Sequence, residues 1–338
     1  MRSFAGKLSI CLIAGALAHS AAAGAQGILS ADAPTLLLSA ASSRPRAEAE
    51  LLLGVARAGQ RLVAVGDHGV ILLSDDEGRT FRQAQTVPVR TTLTAVAFAD
   101  AMNGWAVGHG GVILHTADGG WTWTLQRHAI GEDRPLFTVH FLDARHGLAA
   151  GLWSLLLVTK DGGRTWSPVT LPPPPEGGKA DRNLFALFAD GNGTLYIAAE
   201  RGTVLRSDDG GTTWSYLNTG YKGSLWAGCA LRDGTLIVGG LRGTIFRSTD
   251  GGRHWRAVAS GTKSSITHIV AVDERVVAVG LDGTFLQSDD GGITFTVSQR
   301  EDSLSLTALS ATKGGAFQFY SKRGVITERS AATGPMPR

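Results

Sequence analysis

One phrase recurs six times in this chain of 338 residues, and its period constrains the fold more than any other feature. The phrase is Ser/Thr-x-Asp-x-Gly-x-Thr-aromatic. Its first copy reads Ser74-Asp75-Asp76-Glu77-Gly78-Arg79-Thr80-Phe81, and its last reads Ser288-Asp289-Asp290-Gly291-Gly292-Ile293-Thr294-Phe295. The central aspartates, Asp76, Asp118, Asp161, Asp209, Asp250 and Asp290, are spaced by 42, 43, 48, 41 and 40 residues. A fixed interval of this size marks a repeated supersecondary unit. The one long interval holds an insertion, Pro172-Pro173-Pro174-Pro175-Glu176-Gly177-Gly178.

Each phrase follows the same lead-in. Leu62-Val63-Ala64-Val65-Gly66, a short turn and Gly69-Val70-Ile71-Leu72-Leu73 precede the first copy. Gly104–Gly108 with Gly111–Leu114, and Leu236–Gly239 with Gly243–Phe246, repeat the pattern. A further apolar run precedes most pairs, as in Leu93–Phe98, Phe137–Phe141, Leu184–Phe188 and Ile266–Val270. Another short strand follows the phrase. Four short strands in about 40 residues is the period of a β-propeller blade.

A seventh unit lacks the phrase. Leu304–Leu309, Gly315–Tyr320 and Gly324–Glu328 supply three strands in register. The expected fold is therefore all-β: a seven-bladed β-propeller of four-stranded antiparallel blades, closed by N- and C-terminal strands. Pro34–Leu38 is the expected fourth strand of the last blade, because pairing the chain ends removes two exposed sheet edges. The expected division is a leader over 1–25, an N-terminal segment over 26–59, the propeller over 60–330 and a tail over 331–338.

Each part of the phrase has a structural task. The aspartate accepts hydrogen bonds from the backbone of its own turn. The glycines adopt positive φ without steric cost, and the aromatic fills space between blades. Six such acids, one at each of six turns, cannot converge on one ion, and no single copy supplies the ligand spacing of a calcium loop. The eight histidines after the leader have no zinc-site spacing either. No metal or cofactor is expected.

Composition agrees. Glycine, at 45 of 338 residues, is well above the usual ~7%, as many tight turns require. The net charge is +3, with Arg2 and Lys7 inside the leader. Nothing in it argues for nucleic acid. Residues 1–25 have a basic start, an apolar stretch over Leu8–Ala18 and Ala23-Gly24-Ala25 before Gln26. This is the layout of a secretory signal peptide, too short in its apolar part for a comfortable membrane span. With Cys11 in the leader, Cys229 has no internal disulfide partner, and it reads as a small core residue.

The phrase resembles the Asp-box, or bacterial neuraminidase repeat, of sialidases, sortilin-type receptors and photosystem II stability and assembly factors. The wording is most similar to the last group, as in Asp161-Gly162-Gly163-Arg164-Thr165-Trp166 and Arg242-Gly243-Thr244-Ile245-Phe246-Arg247-Ser248. The resemblance covers residues 60–330. It implies an exported, non-enzymatic monomer, in periplasm or thylakoid lumen, that binds a membrane protein or envelope complex.

Strand reversal puts the aspartate turns on one face. The second-to-third-strand turns and the blade connections fall on the other. That second face carries Arg90, Arg134, Arg182, Arg201, Lys222, Arg242 and Arg323. Arg201, Arg242 and Arg323 hold the same register place in three blades, just before the third-strand glycine. Clustered guanidinium groups suit acidic segments of a partner.

Two other readings stand beside this one. A sialidase-like glycoside hydrolase needs a Tyr nucleophile with a nearby Glu, for which Tyr221 with Glu132, Glu200 or Glu301 are the candidates. A sugar- or peptide-binding module would stack its ligand on Trp153 and Tyr221.

Overall fold

The computed structural model describes residues 37–330. The leader, residues 34–36 of the expected closing strand and the 331–338 tail lie outside the described residues. Seven antiparallel sheets follow one another along the chain. Six have four strands in simple meander order, and the last has three.

The first blade shows why these residues form these strands. Its second strand, Arg61–Gly66, is buried from Leu62 to Val65, all at 0% exposure. A strand covered on both faces reads as a continuous apolar run rather than an alternating one. Its fourth strand, Arg82–Gln83, is a short edge strand with Arg82 exposed and Gln83 half-buried. Its first strand is Leu52–Ala58. The propeller thus begins eight residues ahead of the boundary expected at 60. Leu-Leu-Gly-Val-Ala-Arg-Ala holds one β-branched residue, Val55, and so carries a weak strand signal.

The core is a set of seams between neighbouring blades. Trp105, Val107 and Ile113 of the second blade pack on Leu136, Phe141 and Leu157 of the third. Trp105 stacks on Phe141 with centroids 3.4 Å apart. The aromatic of each aspartate turn reaches the seam with the preceding blade: Trp123 packs with first-blade residues and Trp166 with second-blade residues. Phe81 meets Tyr320 of the last blade edge-on at 6.2 Å.

That contact belongs to the seam that closes the ring. Leu52, Ala64, Val70 and Leu72 pack there on Ala308 and Tyr320. Thr307 donates its hydroxyl to the Leu52 carbonyl, and Arg57 reaches the Ala311 carbonyl. Closure is thus side-to-side packing of blades. Among the described residues no fourth strand joins the last blade, which runs Leu306–Ala311, Phe317–Ser321 and Gly324–Ser330. A single turn, Ala47–Ala49, lies against its outer strand. Residues 37–44 run beside the first blade's exit instead. Ala41 N–H donates to Val87 and Arg90 N–H donates to Leu37.

In five of the seven blades a glycine closes the second strand at a point where no side chain fits, with Ala199 and Ser321 at that place in the fourth and last. A Cβ on Gly66 would stand 1.9 Å from the Leu51 carbonyl oxygen, and one on Gly108 2.1 Å from that of Thr92. Opposite this point the first strand bulges as it enters the blade. Every first strand skips one residue there: Leu53, Thr94, Phe137, Phe185, Trp226, Thr267 and Thr307.

Candidate functional site

The aspartate turns are self-contained. In the first, Gly78 N–H donates to Ser74 Oγ at 2.7 Å, and Ser74 Oγ donates to Asp76 Oδ1 at 2.8 Å. Thr80 closes the loop, its N–H on Oδ1 at 2.9 Å and its hydroxyl on Oδ2 at 2.6 Å. Asp118, Asp161, Asp209 and Asp290 repeat the pattern, and at Asp250 the ring of His254 replaces the threonine hydroxyl. Both carboxylate oxygens are used within each turn. Among the described residues no group of three or more His, Cys, Asp or Glu is arranged to hold a metal.

These bonds favour the ionised acid. The Thr165 and Thr213 hydroxyls, first among the donors, hold Asp161 and Asp209 down to about 2. Asp76 and Asp290 are lowered further by the same contacts, and Asp250 mainly by the His254 N–H. A carboxyl lowered in the folded state adds stability above its unfolded pKa of ~3.9 and loses it as pH falls through the folded value. Burial acts the same way on His140 and His268, both lowered to about 4. Their contribution is lost as pH falls from ~6.5 toward that value. The expected result is a shallow fall in Tm from about pH 6.5 to 4, then a steep fall from about 4 to 2. Thermal melts across this range check it, and a Tm flat below pH 4 would contradict it.

The opposite face is built differently. Its second-to-third-strand turns place one residue in left-handed backbone, as at His68, Arg201, Arg242 and Asp282, with φ of 54°, 58°, 57° and 55°. A glycine follows each. The glycine packs on the next connection: a Cβ on Gly202 would lie 2.2 Å from the Tyr221 carbonyl, and one on Gly243 2.3 Å from that of Thr262. The side chain before it is thereby thrown outward. Arg242 and Arg323 are exposed, and Lys222 stands exposed on the connection between the fourth and fifth blades. Among the described residues neither Arg242 nor Lys222 has a side-chain ion pair.

The third blade departs from the rule. Trp153 and Ser154 both take positive φ, at 52° and 55°, without a glycine. Such backbone costs about 1–3 kcal/mol per residue. The turn is held by Asn183 Oδ1, which accepts the Trp153 N–H, and by the Arg182 carbonyl, which accepts the Ser154 N–H. The Trp153 side chain is left 57% exposed. Arg134 Nη2 donates to the Trp153 carbonyl at 3.5 Å.

The structure separates the seven basic residues expected here. Arg90 is spent on the Ala40 carbonyl of the N-terminal segment. Arg182 is not a surface group; it is 4% exposed, covered by the proline-rich insertion and bound to Glu176. Arg201 lies 4.0 Å from Glu176 of that insertion and 3.6 Å from Asp181 just after it. Arg201 and Arg182 thus meet through one carboxylate, whereas Arg242 and Arg323 project from their own turns.

Sequence reading missed an aromatic group. The bulge residue is Thr in three blades, and its hydroxyl ties it to the next blade: Thr94 donates to Leu136 and Thr267 to Leu306, both at 2.7 Å. In the third, fourth and fifth blades the residue is Phe137, Phe185 and Trp226 instead. A bulge re-aims its side chain, and Phe137 and Phe185 stack across two blades at 5.7 Å. Alignment of the seven first strands exposes this substitution, since Thr changes to an aromatic at one fixed register place.

The hydrolase candidates do not assemble. Tyr221 donates its hydroxyl to the Leu241 carbonyl at 3.1 Å, and Glu200 accepts from Asn183. Among the described residues no hydrogen bond joins Tyr221 to Glu132, Glu200 or Glu301. Burial pushes the Cys229 thiol up to about 12, so it carries no thiolate at neutral pH.

A family profile described as photosynthesis system II assembly factor YCF48 matches residues 83–225 and 130–327. The chain belongs to the YCF48 family. Within the family's fold, a solved structure titled YCF48 bound to D1 peptide superposes with a TM-score of 0.68 at 18% identity, covering 85% of this chain and 94% of that one. YCF48 from Cyanidioschyzon merolae gives 0.65 at 17%, covering 84% and 95%. At such identities the likeness is one of fold. No curated protein matches the chain. Among the described residues no helix is long and apolar enough to cross a membrane.

Proposed function

We propose that this chain is an exported, monomeric, non-catalytic propeller that binds a segment of a photosystem II membrane protein, D1 in the first instance, and assists its assembly. Membership of the YCF48 family is the observation that carries the reading. The solved relative with a D1 peptide supports a peptide ligand for the fold. The face opposite the aspartate turns is the docking surface, which carries exposed Arg201, Arg242, Arg323 and Lys222 and the exposed Trp153. Export follows cleavage of the 1–25 leader, into lumen or periplasm according to the host. The acids of the aspartate turns are closed to chemistry because their own loops consume them.

The test is retention of D1 by the immobilised chain from detergent-solubilised thylakoid membranes, with D1 identified by mass spectrometry. Absence of D1 at low salt, or turnover of aryl glycosides by the pure protein, would overturn the reading.

A further inference from the structure

The insertion before the fourth blade brings its own acid to the basic face. Arg182 is a buried guanidinium whose Nη2 binds the Glu176 carboxylate. The Tyr216 ring lies 5.1 Å from its central carbon, and the Tyr216 hydroxyl donates to the Pro172 carbonyl at 3.0 Å. Arg182 Nε and Nη1 are buried with no hydrogen-bond partner among the described residues. A guanidinium is built to bind a carboxylate through two parallel N–H groups, and unfilled buried donors are costly. Here the fork is half used. The acid that uses it is half exposed, at 51%. Arg201, 54% exposed, flanks the same carboxylate.

We propose that Arg182, Arg201 and Tyr216 form a carboxylate-binding subsite. Glu176 fills it as a self-ligand in the free protein, and an Asp or Glu side chain of a partner segment displaces it. The self-ligand shows the form of the true one. It is an acid in a tight turn at the end of a proline run, closed by the Gly177 N–H on the Pro174 carbonyl at 2.8 Å. A tethered competitor acts at millimolar effective concentration, so the insertion lowers affinity for acidic segments and sharpens the choice among them. This deepens the reading above, which places the partner on this face.

The probe is a synthetic peptide of alternating Pro and Glu, about ten residues long. Glu176→Gln keeps the side-chain shape and removes the competing charge. It should bind the probe roughly tenfold more tightly than wild type, and Glu176→Gln combined with Arg182→Gln should lose that gain. Because removal of Arg182 can disturb packing, Glu176→Gln with Arg201→Gln is the second variant, and it should lose most of the gain. Without any ligand, amide exchange over residues 172–181 should quicken in Glu176→Gln and nowhere else. A probe affinity unchanged by Glu176→Gln, a gain that survives loss of both arginines, or unchanged exchange would each overturn the subsite. Should the Pro-Glu probe respond as expected while a D1 peptide binds neither protein, the subsite stands and the partner falls. D1 binding with a probe indifferent to Glu176 gives the reverse.

Discussion

Replacing Arg201, Arg242 and Arg323 together by glutamate is expected to weaken binding of a D1 peptide by roughly 100-fold. All three side chains are exposed. Arg201 and Arg242 take the same left-handed backbone, whereas Arg323, expected at the same register place, sits in a shorter two-residue turn in which Ser321 pairs with Gly324. An exposed charge contact is worth about 0.2–1 kcal/mol. Reversing a charge removes that attraction and adds a repulsion of similar size. Over three sites the loss reaches about 3 kcal/mol, which is roughly two decades in affinity. The effect should shrink with added salt, because these groups are exposed. The fold should survive, since none of the three guanidinium groups is buried. Titration at low and moderate salt, with a thermal melt of each protein, measures this. Affinity within about twofold of wild type at low salt would remove the basic face from the mechanism.

The largest stability effect is expected at Gly324, where the two ends of the described chain meet. Its φ is +90°, and a Cβ there would stand 1.8 Å from the Glu48 carbonyl oxygen and 2.7 Å from Ala49 Cα. Both neighbours are backbone, so no side-chain rotation relieves the clash. Gly324→Ala must displace the Ala47–Ala49 turn that lies against the last blade. Left-handed backbone for a non-glycine residue and local overpacking together cost roughly 2–5 kcal/mol. The turn leads directly into Leu52 in the closing seam, so the damage should spread to the first blade. Urea unfolding of wild type and variant checks the size. Gly131→Ala is the control, since nothing lies within 4 Å of a Cβ there, and it should be nearly silent.

Much of the fold was legible because the repeat carries its own geometry. Asp76, Ser74 and Thr80 are consecutive enough in sequence to bond one another, so their task follows from local chemistry. The same holds for the face assignment, which depends only on strand reversal. The ring closure was not legible. Pro34–Leu38 reads as a strand by composition, but residues 37 and 38 are not in one, and the last blade is sealed by packing of Leu52, Tyr320 and Phe81 from distant parts of the chain. The site was legible only in part. Arg201 and Arg242 stand as their turn chemistry requires. The burial of Arg182 depends on Glu176 and Tyr216, and Tyr216 lies 34 residues beyond it in sequence. Phe137, Phe185 and Trp226 looked like ordinary strand residues until the bulges set them apart.

The central claim is that one face holds the propeller together and the opposite face meets the partner. Amide exchange with and without saturating D1 peptide tests it directly. Slowed exchange at the turns around Trp153, Arg201 and Arg242 and over residues 172–181, with the aspartate turns unaffected, is the expected result. Slowing confined to the turns around Asp118, Asp161 and Asp209 would contradict it.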